Sequence, residues 1–465
     1  MNEGVRRYAE EAKKMLAERE RYIKEDVKKR KFDTIAVHGA YSVKEAIEKN
    51  QGAIIEPIFL SSAQAYRDSD EMEAAQSYLI PTWAYTRIHN PSVGYLEDTL
   101  ALLDGYGYDG ETGCCATSSG LAAIASATDP FLVKLTKKPD EAINFVSSCQ
   151  IYGGTFMQFN IRKMQERGIE CRWVVDPNNI DDWASKIDKN TRFLFGELPS
   201  NPGLAFFDLK KAIDLAHEHG IPFIADSTIA TPALLRPITF GADIVVHSVT
   251  KTMTASGLSI AGAVIARRNL ISNIPNDDMK TDFANYTKFL PNRDMGWCLS
   301  PIQAILSLND IRTLRSRVDV LSQSSMKVSR FLQEHPKVSS VNYLGLENHP
   351  LHEVASKYLW LVDAEYDEQY KKQINRYGHL LSFQLKGGVQ AARTLLDGLK
   401  QIWRATDLGR IKSIATIPSI STHQQMGEES RSMACIPPNL VRLCVGAEHP
   451  DDIIADLDQA LAKVK

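Results

Sequence analysis

A lysine and an aspartate each follow a short apolar run, close to the point where the run ends. Asp226 follows the run Ile221–Ala225, and Lys251 follows the run Ile244–His247 after a few small residues. Short apolar runs bounded by glycine and proline signals predict buried strands of a parallel sheet. Because ligands bind outside the carboxyl ends of such strands, we expect the acid and the amine to lie in one crevice.

Each of these residues has a simpler explanation when it is taken alone. A lysine after a strand is most often a solvated charge, and an aspartate there is most often a helix cap or a turn residue. The residues from Thr252 to Gly257, however, are small or uncharged. Such neighbours suit a lysine that lies against a ligand, and other motifs strengthen this interpretation.

A turn after another predicted strand could bind an anion. Within Thr112–Thr128, a short strand breaks at Ser118-Ser119-Gly120 and a helix of small residues begins. Free N–H groups and the positive end of the helix dipole would meet at Gly120 and Leu121. A plain strand–helix turn with serine N-caps is the alternative. The turn has neither the Walker nor the GxGxxG pattern, so it does not indicate a nucleotide.

One cofactor, pyridoxal 5′-phosphate, would use all of these groups. A lysine forms a Schiff base with its aldehyde, and a carboxylate opposite the ring nitrogen lets the ring act as an electron sink. Its phosphate needs the predicted cradle and nearby hydroxyls, such as Ser248 and Thr250. Tyr152 follows a predicted strand and could stack on the ring. Arg87, two residues after Tyr85, could clamp a phosphate, although an arginine in a loop usually faces solvent.

Alternating strands and helices must position these residues. The alternation extends over about 200 residues and predicts an α/β fold with a mainly parallel, doubly wound sheet. A long helix predicted at Leu299–Gln333 leads into a smaller α+β region. Residues 1–31 are charged and amphipathic, and the polar stretch Asp68–Ile80 predicts a loop. We therefore predict an N-terminal arm at 1–80, a large cofactor-binding domain at 81–315 and a small C-terminal domain at 316–465.

Composition excludes several classes of function. The chain has 465 residues, of which 44% are hydrophobic, and a net charge of −3, which gives no argument for binding nucleic acid or an anionic membrane. No apolar run approaches the ~20 residues of a membrane span, and the N-terminus lacks the apolar core of a secretory signal. The seven cysteines are scattered and indicate reduced thiols in a cytoplasmic protein. They follow no metal-binding spacing, so we expect no metal site.

The motifs occur together in the order and spacing of a known family. From about Phe32 to its end, the chain resembles the Cys/Met-metabolism family of PLP-dependent enzymes, also called the trans-sulfuration family. The resemblance implies the aminotransferase-like fold type I, an amino-acid substrate and a homo-oligomer, usually a dimer of dimers. The motifs are YTRIHNPS, SSGLAA, YGGT, ELPSNP, ADSTIATP, GADIVVHSVTK and NLVRLCVGAEHPDDIIADLDQAL.

By motif position, the resemblance implies a role for each candidate residue. Lys251 would be the Schiff-base lysine and proton shuttle, and Asp226 the partner of the pyridinium nitrogen. Tyr152 would stack on the ring and help to activate the substrate, whose α-carboxylate Arg442 would bind. The remaining candidates are the phosphate holders Gly120, Leu121, Ser248 and Thr250, the cofactor-binding residue Thr228, Tyr85 and Arg87 on the phosphate of the neighbouring subunit, and Asn201 and Ser413 near the cofactor and substrate.

The resemblance also implies loss of a γ-substituent, followed by replacement or by elimination to a 2-oxo acid and ammonia. The segments YGGT, HPLHEVASKYL and STHQQMGEESR look most like the homocysteine-forming sulfhydrylases. We find no match for the cysteine that methionine γ-lyases usually carry near the YGG-type turn. We therefore expect γ-replacement on an O-acylhomoserine with a sulfur nucleophile, as in O-acetylhomoserine sulfhydrylase or cystathionine γ-synthase. The alternative is a γ-lyase like those of methionine or cystathionine.

Some positions depart from the family pattern. After Lys251, Ala255-Ser256-Gly257 replaces the usual Gly-His-Gly, and Lys412 stands where an acidic residue often precedes the position of Ser413. These changes lie near residues that select the substrate, so an unusual γ-substituted amino acid is a further alternative. The intact Lys251, Asp226 and Arg442 argue against an inactive relative that only binds partners.

Overall fold

A computed structural model describes residues 2–81, 83–136 and 141–465. The N-terminal arm is helical. Its first helix, Glu3–Glu25, is capped by Asn2, whose side chain accepts a hydrogen bond from the Val5 N–H. This confirms the predicted amphipathic segment. The other helices of the arm are Phe32–His38, Val43–Lys49 and Ser69–Gln76.

The helix Ser69–Gln76 corrects the loop that we predicted at Asp68–Ile80. Asp68 caps this helix by accepting a hydrogen bond at Oδ1 from the N–H of Glu71, at 2.8 Å. Ala74 is fully buried and packs in one cluster with Val5 and Tyr8 of the first helix. The helix is therefore stabilised by its cap and by a neighbouring helix.

A seven-stranded sheet forms the centre of the larger part of the molecule. Across the sheet the strands lie in the order β1-β7-β6-β5-β4-β2-β3. Strands β2 to β6 pair in parallel, whereas β7 is antiparallel to both of its neighbours. This confirms the mainly parallel sheet. The strands are β1 (Thr112–Thr117), β2 (Asn144–Ser148), β3 (Glu170–Val174), β4 (Thr191–Glu197), β5 (Phe223–Asp226), β6 (Ile244–His247) and β7 (Gly262–Arg267).

Helices cover both faces of this sheet. Along β4, Phe193 and Phe195 belong to one apolar cluster, whereas Leu194 between them belongs to another. Residues that alternate between two cores explain why β4, β5 and β6 are buried along their whole length. The helices before and between the strands are Pro91–Asp104, Gly120–Thr128, Gly153–Met157, Ile180–Ala184, Leu209–Glu218 and Thr231–Leu234, and after β7 come Asp277–Thr281, Phe283–Thr287 and Arg293–Met295.

The C-terminal part carries a second sheet of five strands, in the order β10-β11-β12-β9-β8. Two helices, Pro301–Ile311 and Leu314–Glu334, precede it, where we predicted one long helix at Leu299–Gln333. The domain boundaries at 80 and 315 stay a prediction. The strands are β8 (Val338–Asn342), β9 (Leu380–Leu385), β10 (Trp403–Arg404), β11 (Ile414–Thr416) and β12 (Leu440–Cys444), with helices His352–Ser356, Gly388–Gly398, Gly427–Met433 and Pro450–Leu461.

Within the described ranges, none of the helices combines the length and the apolar character that crossing a bilayer requires.

Candidate active site

The carboxyl ends of the neighbouring strands β5 and β6 bring the predicted acid and lysine into the same region. Thr228 ties the two strand ends together. Its N–H donates to Asp226 Oδ1 at 3.0 Å, and its hydroxyl oxygen accepts from the N–H of Ser248 at 2.8 Å. The local backbone of both strand ends is therefore fixed before any ligand binds.

Asp226 lies beside a second buried acid, Glu197, which ends β4 and is in register with Asp226. The two oxygens of Glu197 accept hydrogen bonds from the N–H groups of Tyr152, at 2.6 Å, and Asn201, at 2.7 Å. Burial raises the pKa of Asp226, which the hydrogen bonds from Thr228 oppose. Burial raises the pKa of Glu197 as well, and the neighbouring charge of Asp226 adds to this effect. A cation bound next to Asp226 would relieve the repulsion between these two acids.

Tyr152 occupies the turn that follows β2, and its side chain is partly open to solvent. The ring lies edge-on to the imidazole of His423, with 6.2 Å between ring centroids. The next residue, Gly153, donates its N–H to His423 Nε2 at 2.9 Å. A Cβ on Gly154 would lie 2.5 Å from Tyr152 Cε1, so the ring position requires glycine there. Glu197 and His423 thus hold this turn from two sides.

The predicted anion cradle is formed at the start of the helix Gly120–Thr128. Ser119 caps the helix by accepting from the N–H of Ala122. In the described part of the chain, the N–H groups of Gly120 and Leu121 donate to no protein acceptor. A Cβ on Gly120 would lie only 2.6 Å from Ser248 Cβ. The helix start and the Ser248 hydroxyl therefore meet, which suits a phosphate.

Two predicted hydroxyl ligands already have protein partners. The Thr250 hydroxyl donates to the carbonyl of Ala261 and accepts from its N–H, both at 3.0 Å. The Ser413 hydroxyl donates to Glu448 at 2.9 Å and accepts from the N–H of Gly446. Neither hydroxyl is free in this structure.

Arg442, on β12, is almost completely buried and contacts the region of Asn201. Its Nη1 donates to Asn201 Oδ1 at 3.0 Å, and its Nη2 donates to the carbonyl of Asp407 at 2.8 Å. Its Nε has no hydrogen-bond partner among the described residues. Burial lowers the pKa of Arg442 to about 10. A buried cation with an uncommitted donor is suited to a carboxylate ligand.

Asp407 contacts the lysine, and our sequence analysis missed it. Lys251 Nζ donates to Asp407 Oδ1 at 2.8 Å, and Arg410 donates to the other carboxylate oxygen. The irregular segment that carries Asp407 lies between β10 and β11 and has no apolar periodicity. The closest signal was the departure from the family pattern that we noted at Lys412.

Tyr85 and Arg87 lie apart from this constellation, on the surface. Both side chains are exposed, and the Arg87 guanidinium lies 5.5 Å from the centroid of the Tyr85 ring. Arg87 Nη1 donates to the carbonyl of Arg293 at 2.5 Å. Their contacts within the described chain do not reach Lys251.

The residues present fit pyridoxal 5′-phosphate. An amine, a buried acid and an aromatic side chain accompany a helix start that glycine leaves open. The N–H groups at this helix start have no acceptor among the described residues, and a serine hydroxyl lies beside them. Lys251, Asp226 and Tyr152 would hold the ring of this cofactor, and the start of the helix Gly120–Thr128 with Ser248 would hold its phosphate. The cofactor would supply an electron sink for the α-carbon of an amino acid.

Comparisons with known proteins agree with this assignment. Residues 33–462 match the model of a family described as Cys/Met metabolism PLP-dependent enzyme. An L-methionine gamma-lyase of Fusobacterium nucleatum subsp. polymorphum is 34% identical over 94% of this chain and 100% of its own length. An O-acetyl-L-homoserine sulfhydrylase of Leptospira meyeri is 30% identical, over 93% of this chain and 97% of its own.

Solved structures show the same likeness. A putative O-acetylhomoserine (thiol)-lyase from Campylobacter jejuni, solved with N′-pyridoxyl-lysine-5′-monophosphate, superposes with a TM-score of 0.81 at 30% identity. The match covers 93% of this chain and 100% of the other. It confirms the predicted fold type I and pyridoxal 5′-phosphate as the cofactor. The chain belongs to the Cys/Met-metabolism family of PLP-dependent enzymes.

Proposed function

We propose that the protein catalyses γ-replacement on an O-acylhomoserine with a sulfur nucleophile. One observation carries the assignment of the substrate site. Asp407 contacts Lys251 through its side chain and Arg442 through its carbonyl. The distance between the Lys251 amine and the Arg442 guanidinium is therefore about the length of one amino-acid residue. A small amino acid, with its carboxylate on Arg442, is long enough to reach Lys251. An α-carboxylate on Arg442 would leave its α-carbon facing Lys251.

The residues divide the work as follows. Arg442 and Asn201 bind and orient the amino acid through its carboxylate. Lys251 takes the proton from Cα and moves protons at the neighbouring carbons. Asp226 would hold the positive charge on the ring of the bound cofactor, and Tyr152 would pack against that ring. Water is kept from the carboxylate site because Arg442 is buried.

The segment around Tyr152 supports replacement over elimination. The sequence of its YGGT motif, together with the segments 349–359 and 421–431, resembles the homocysteine-forming sulfhydrylases more than the lyases. The alternative, a γ-lyase, is favoured by the identity of 34% to the Fusobacterium methionine gamma-lyase. An unusual γ-substituted substrate fits either reaction.

Product analysis separates the two reactions. We expect O-acetylhomoserine with sulfide to give homocysteine and acetate, with little 2-oxobutyrate. The lyase alternative predicts 2-oxobutyrate and ammonia from methionine or cystathionine without any added thiol. If sulfide leaves the 2-oxobutyrate yield from O-acetylhomoserine unchanged and no homocysteine forms, γ-replacement is wrong.

We also propose that the protein acts as a cytoplasmic homo-oligomer, a dimer of dimers, in which Tyr85 and Arg87 reach the phosphate in the neighbouring subunit. Both side chains are exposed, and their contacts in the described part of the chain do not involve Lys251. Both observations support a role in the neighbouring subunit. Apolar side chains of the arm are exposed too, among them Val43 and Ile54. An interface with a second copy would bury them.

Mixed oligomers test whether Arg87 acts across subunits. We expect the Arg87→Ala and Lys251→Ala proteins each to be inactive or nearly so. After unfolding and refolding together, a hybrid pair has one site with its own Lys251 and a neighbour's Arg87. We expect activity to reappear in the mixture. If Arg87 acted within its own subunit, no site in any hybrid would be complete and activity would stay absent.

A further inference from the structure

The segment 407–410 contacts the backbone as well as the side chain of Lys251. Gly409 has a φ of +79°, and a Cβ there would lie 2.5 Å from the backbone nitrogen of Thr252 and 2.7 Å from the carbonyl carbon of Lys251. The N–H of Ile411 donates to the carbonyl of Ala255 at 3.0 Å. The position of Asp407 relative to Lys251 is therefore fixed by the backbone.

Arg410 anchors the Asp407 carboxylate. Its Nε donates to Asp407 Oδ2, and its Nη1 donates to the carbonyls of Thr250, at 2.6 Å, and Thr254, at 2.8 Å. These carbonyls flank Lys251 in the sequence. The other oxygen, Oδ1, accepts from Lys251 Nζ and from the N–H of Leu408 at 2.9 Å. Both oxygens of Asp407 are thus oriented, and one is directed at the amine.

Charge and burial agree with this geometry. Burial would raise the pKa of Asp407, but the ammonium of Lys251 and then the guanidinium of Arg410 outweigh it and lower the pKa. Asp407 is consequently a carboxylate when the amine is free. The Ala255-Ser256-Gly257 segment, where the chain departs from its family, packs on the same arginine, since a Cβ on Gly257 would lie 3.6 Å from Arg410.

We propose that Asp407, oriented by Arg410, is a positioning residue that holds the Lys251 amine whenever it is not bonded to the cofactor. The inference rests on the role of Lys251 proposed above. In the proton transfer, the Cα–H bond breaks, an Nζ–H bond forms with the lone pair of the amine, and the C–H electron pair stays with the substrate. Asp407 then accepts a hydrogen bond from the ammonium and keeps it beside the substrate for the next transfer.

The test compares Asp407→Asn with Asp397→Asn in the loaded enzyme. Asp397 is an exposed acid of the helix Gly388–Gly398 that pairs with Arg404 at 3.2 Å, so it is a matched control. The probe is L-2-aminobutyrate in D₂O, which has Cα and Cβ hydrogens but no γ leaving group. We expect Asp407→Asn to slow Cα exchange by about tenfold or more, with less than about twofold change in the KM of the probe. Asp397→Asn should exchange like the natural protein.

A second readout uses the apoenzyme, so it does not depend on turnover. An acetylating ester labels free amines, and peptide mass spectrometry follows the label on Lys251. We expect several-fold faster labelling in Asp407→Asn and, to a smaller extent, in Arg410→Met, because the contact with Asp407 Oδ1 holds the amine that must attack the ester. Asp407→Ser serves as a second variant if the asparagine protein does not load cofactor.

Outcomes separate this inference from the proposed function. The positioning role is wrong if Asp407→Asn shows Cα exchange and Lys251 labelling at the rates of the natural protein. It is also wrong if the slower Cα exchange is due entirely to a higher KM for the probe. A Lys251→Ala protein that still binds the cofactor covalently overturns the role of Lys251 itself, whatever Asp407 does. Slow Cα exchange together with fast apoenzyme labelling supports both.

Discussion

His423 accepts a hydrogen bond at Nε2 from the backbone N–H of Gly153, at 2.9 Å. Because Nε2 is the acceptor, the ring proton of the neutral imidazole lies on Nδ1, which faces the Thr422 hydroxyl at 2.8 Å. A residue of the C-terminal segment thus holds the turn of Tyr152, and only in its neutral form. A proton on Nε2 would face the Gly153 N–H and break this contact.

The first prediction concerns acid stability. Burial, with the charge of Arg442, lowers the pKa of His423 to about 4. Between this value and the ordinary histidine pKa of about 6.5, the unfolded chain binds a proton that the folded chain does not. The free energy of unfolding therefore falls as the pH falls, by up to about 1.4 kcal/mol per pH unit. We expect His423→Asn to remove this contribution to the pH dependence of the free energy of unfolding, measured in urea between about pH 6 and pH 4.5.

The buried His379, whose pKa is also lowered to about 4, retains its own share in that variant. His219→Asn, at an exposed position, is the control and should leave the slope as it is. If the free energy of unfolding of His423→Asn changed with pH in parallel to that of the natural protein, the prediction would be wrong.

Removal of the lysine amine gives the second prediction. Lys251→Ala should abolish the visible absorbance of covalently bound cofactor and lower kcat by about 10³-fold or more, since both the linkage and the proton carrier are lost. The melting temperature of the apoenzyme should change little. Lys327→Ala, which removes an exposed partner of Asp451, is the control. A variant that keeps its yellow colour after dialysis would refute the assignment.

Arg442 gives the third prediction. Arg442→Lys keeps the charge but loses the planar fork that contacts Asn201 and the Asp407 carbonyl at once. We expect KM to rise about tenfold or more for every amino-acid substrate, with a smaller change in kcat. Arg404→Lys, on an exposed strand, serves as the control. An unchanged KM would show that the carboxylate binds elsewhere.

The fourth prediction uses the close approach of Gly120 and Ser248. Gly120→Ala would place a Cβ 2.6 Å from Ser248 Cβ and 3.0 Å from its Cα, so one of the two strand–turn segments must shift. We expect the dissociation constant of the cofactor to rise about tenfold or more, with partial recovery of activity at high cofactor concentration.

Gly203→Ala is the matched control for this substitution, because a Cβ there would meet only Gln150 Oε1, at 3.9 Å. Equilibrium titration of each apoenzyme with pyridoxal 5′-phosphate measures the difference. Equal affinities in the two variants would argue against a phosphate at this helix start.

The sequence was informative where a local pattern determines structure. Strands β5 and β6 are continuous apolar runs, so their ends and the residues Asp226 and Lys251 could be predicted. Asp407 could not, because it contacts Lys251 across 156 positions of sequence from a segment without periodicity. The contact between His423 and Gly153 spans 270 positions. Such contacts depend on how the two sheets pack, which no local pattern encodes.

One error has a physical cause of the same kind. The helix Ser69–Gln76 lacks an apolar stripe, and its stability comes from a cap and from packing on the first helix. Asp68 followed three residues later by Glu71 is a helix-start signal that could have indicated it. Ser413 was chosen by motif position alone. Its hydroxyl donates to Glu448, and its role near the substrate stays a prediction.

Three contacts at the active site join the part of the chain that carries the first sheet to the part that carries the second: Asp407 with Lys251, Arg442 with Asn201, and His423 with Gly153. Each contact has one member at or before residue 251 and one at or after residue 407. A chimera that takes residues 316–465 from a relative would therefore inherit only one side of each pair. Recombining such enzymes to change their substrate requires that these six positions be exchanged as a set.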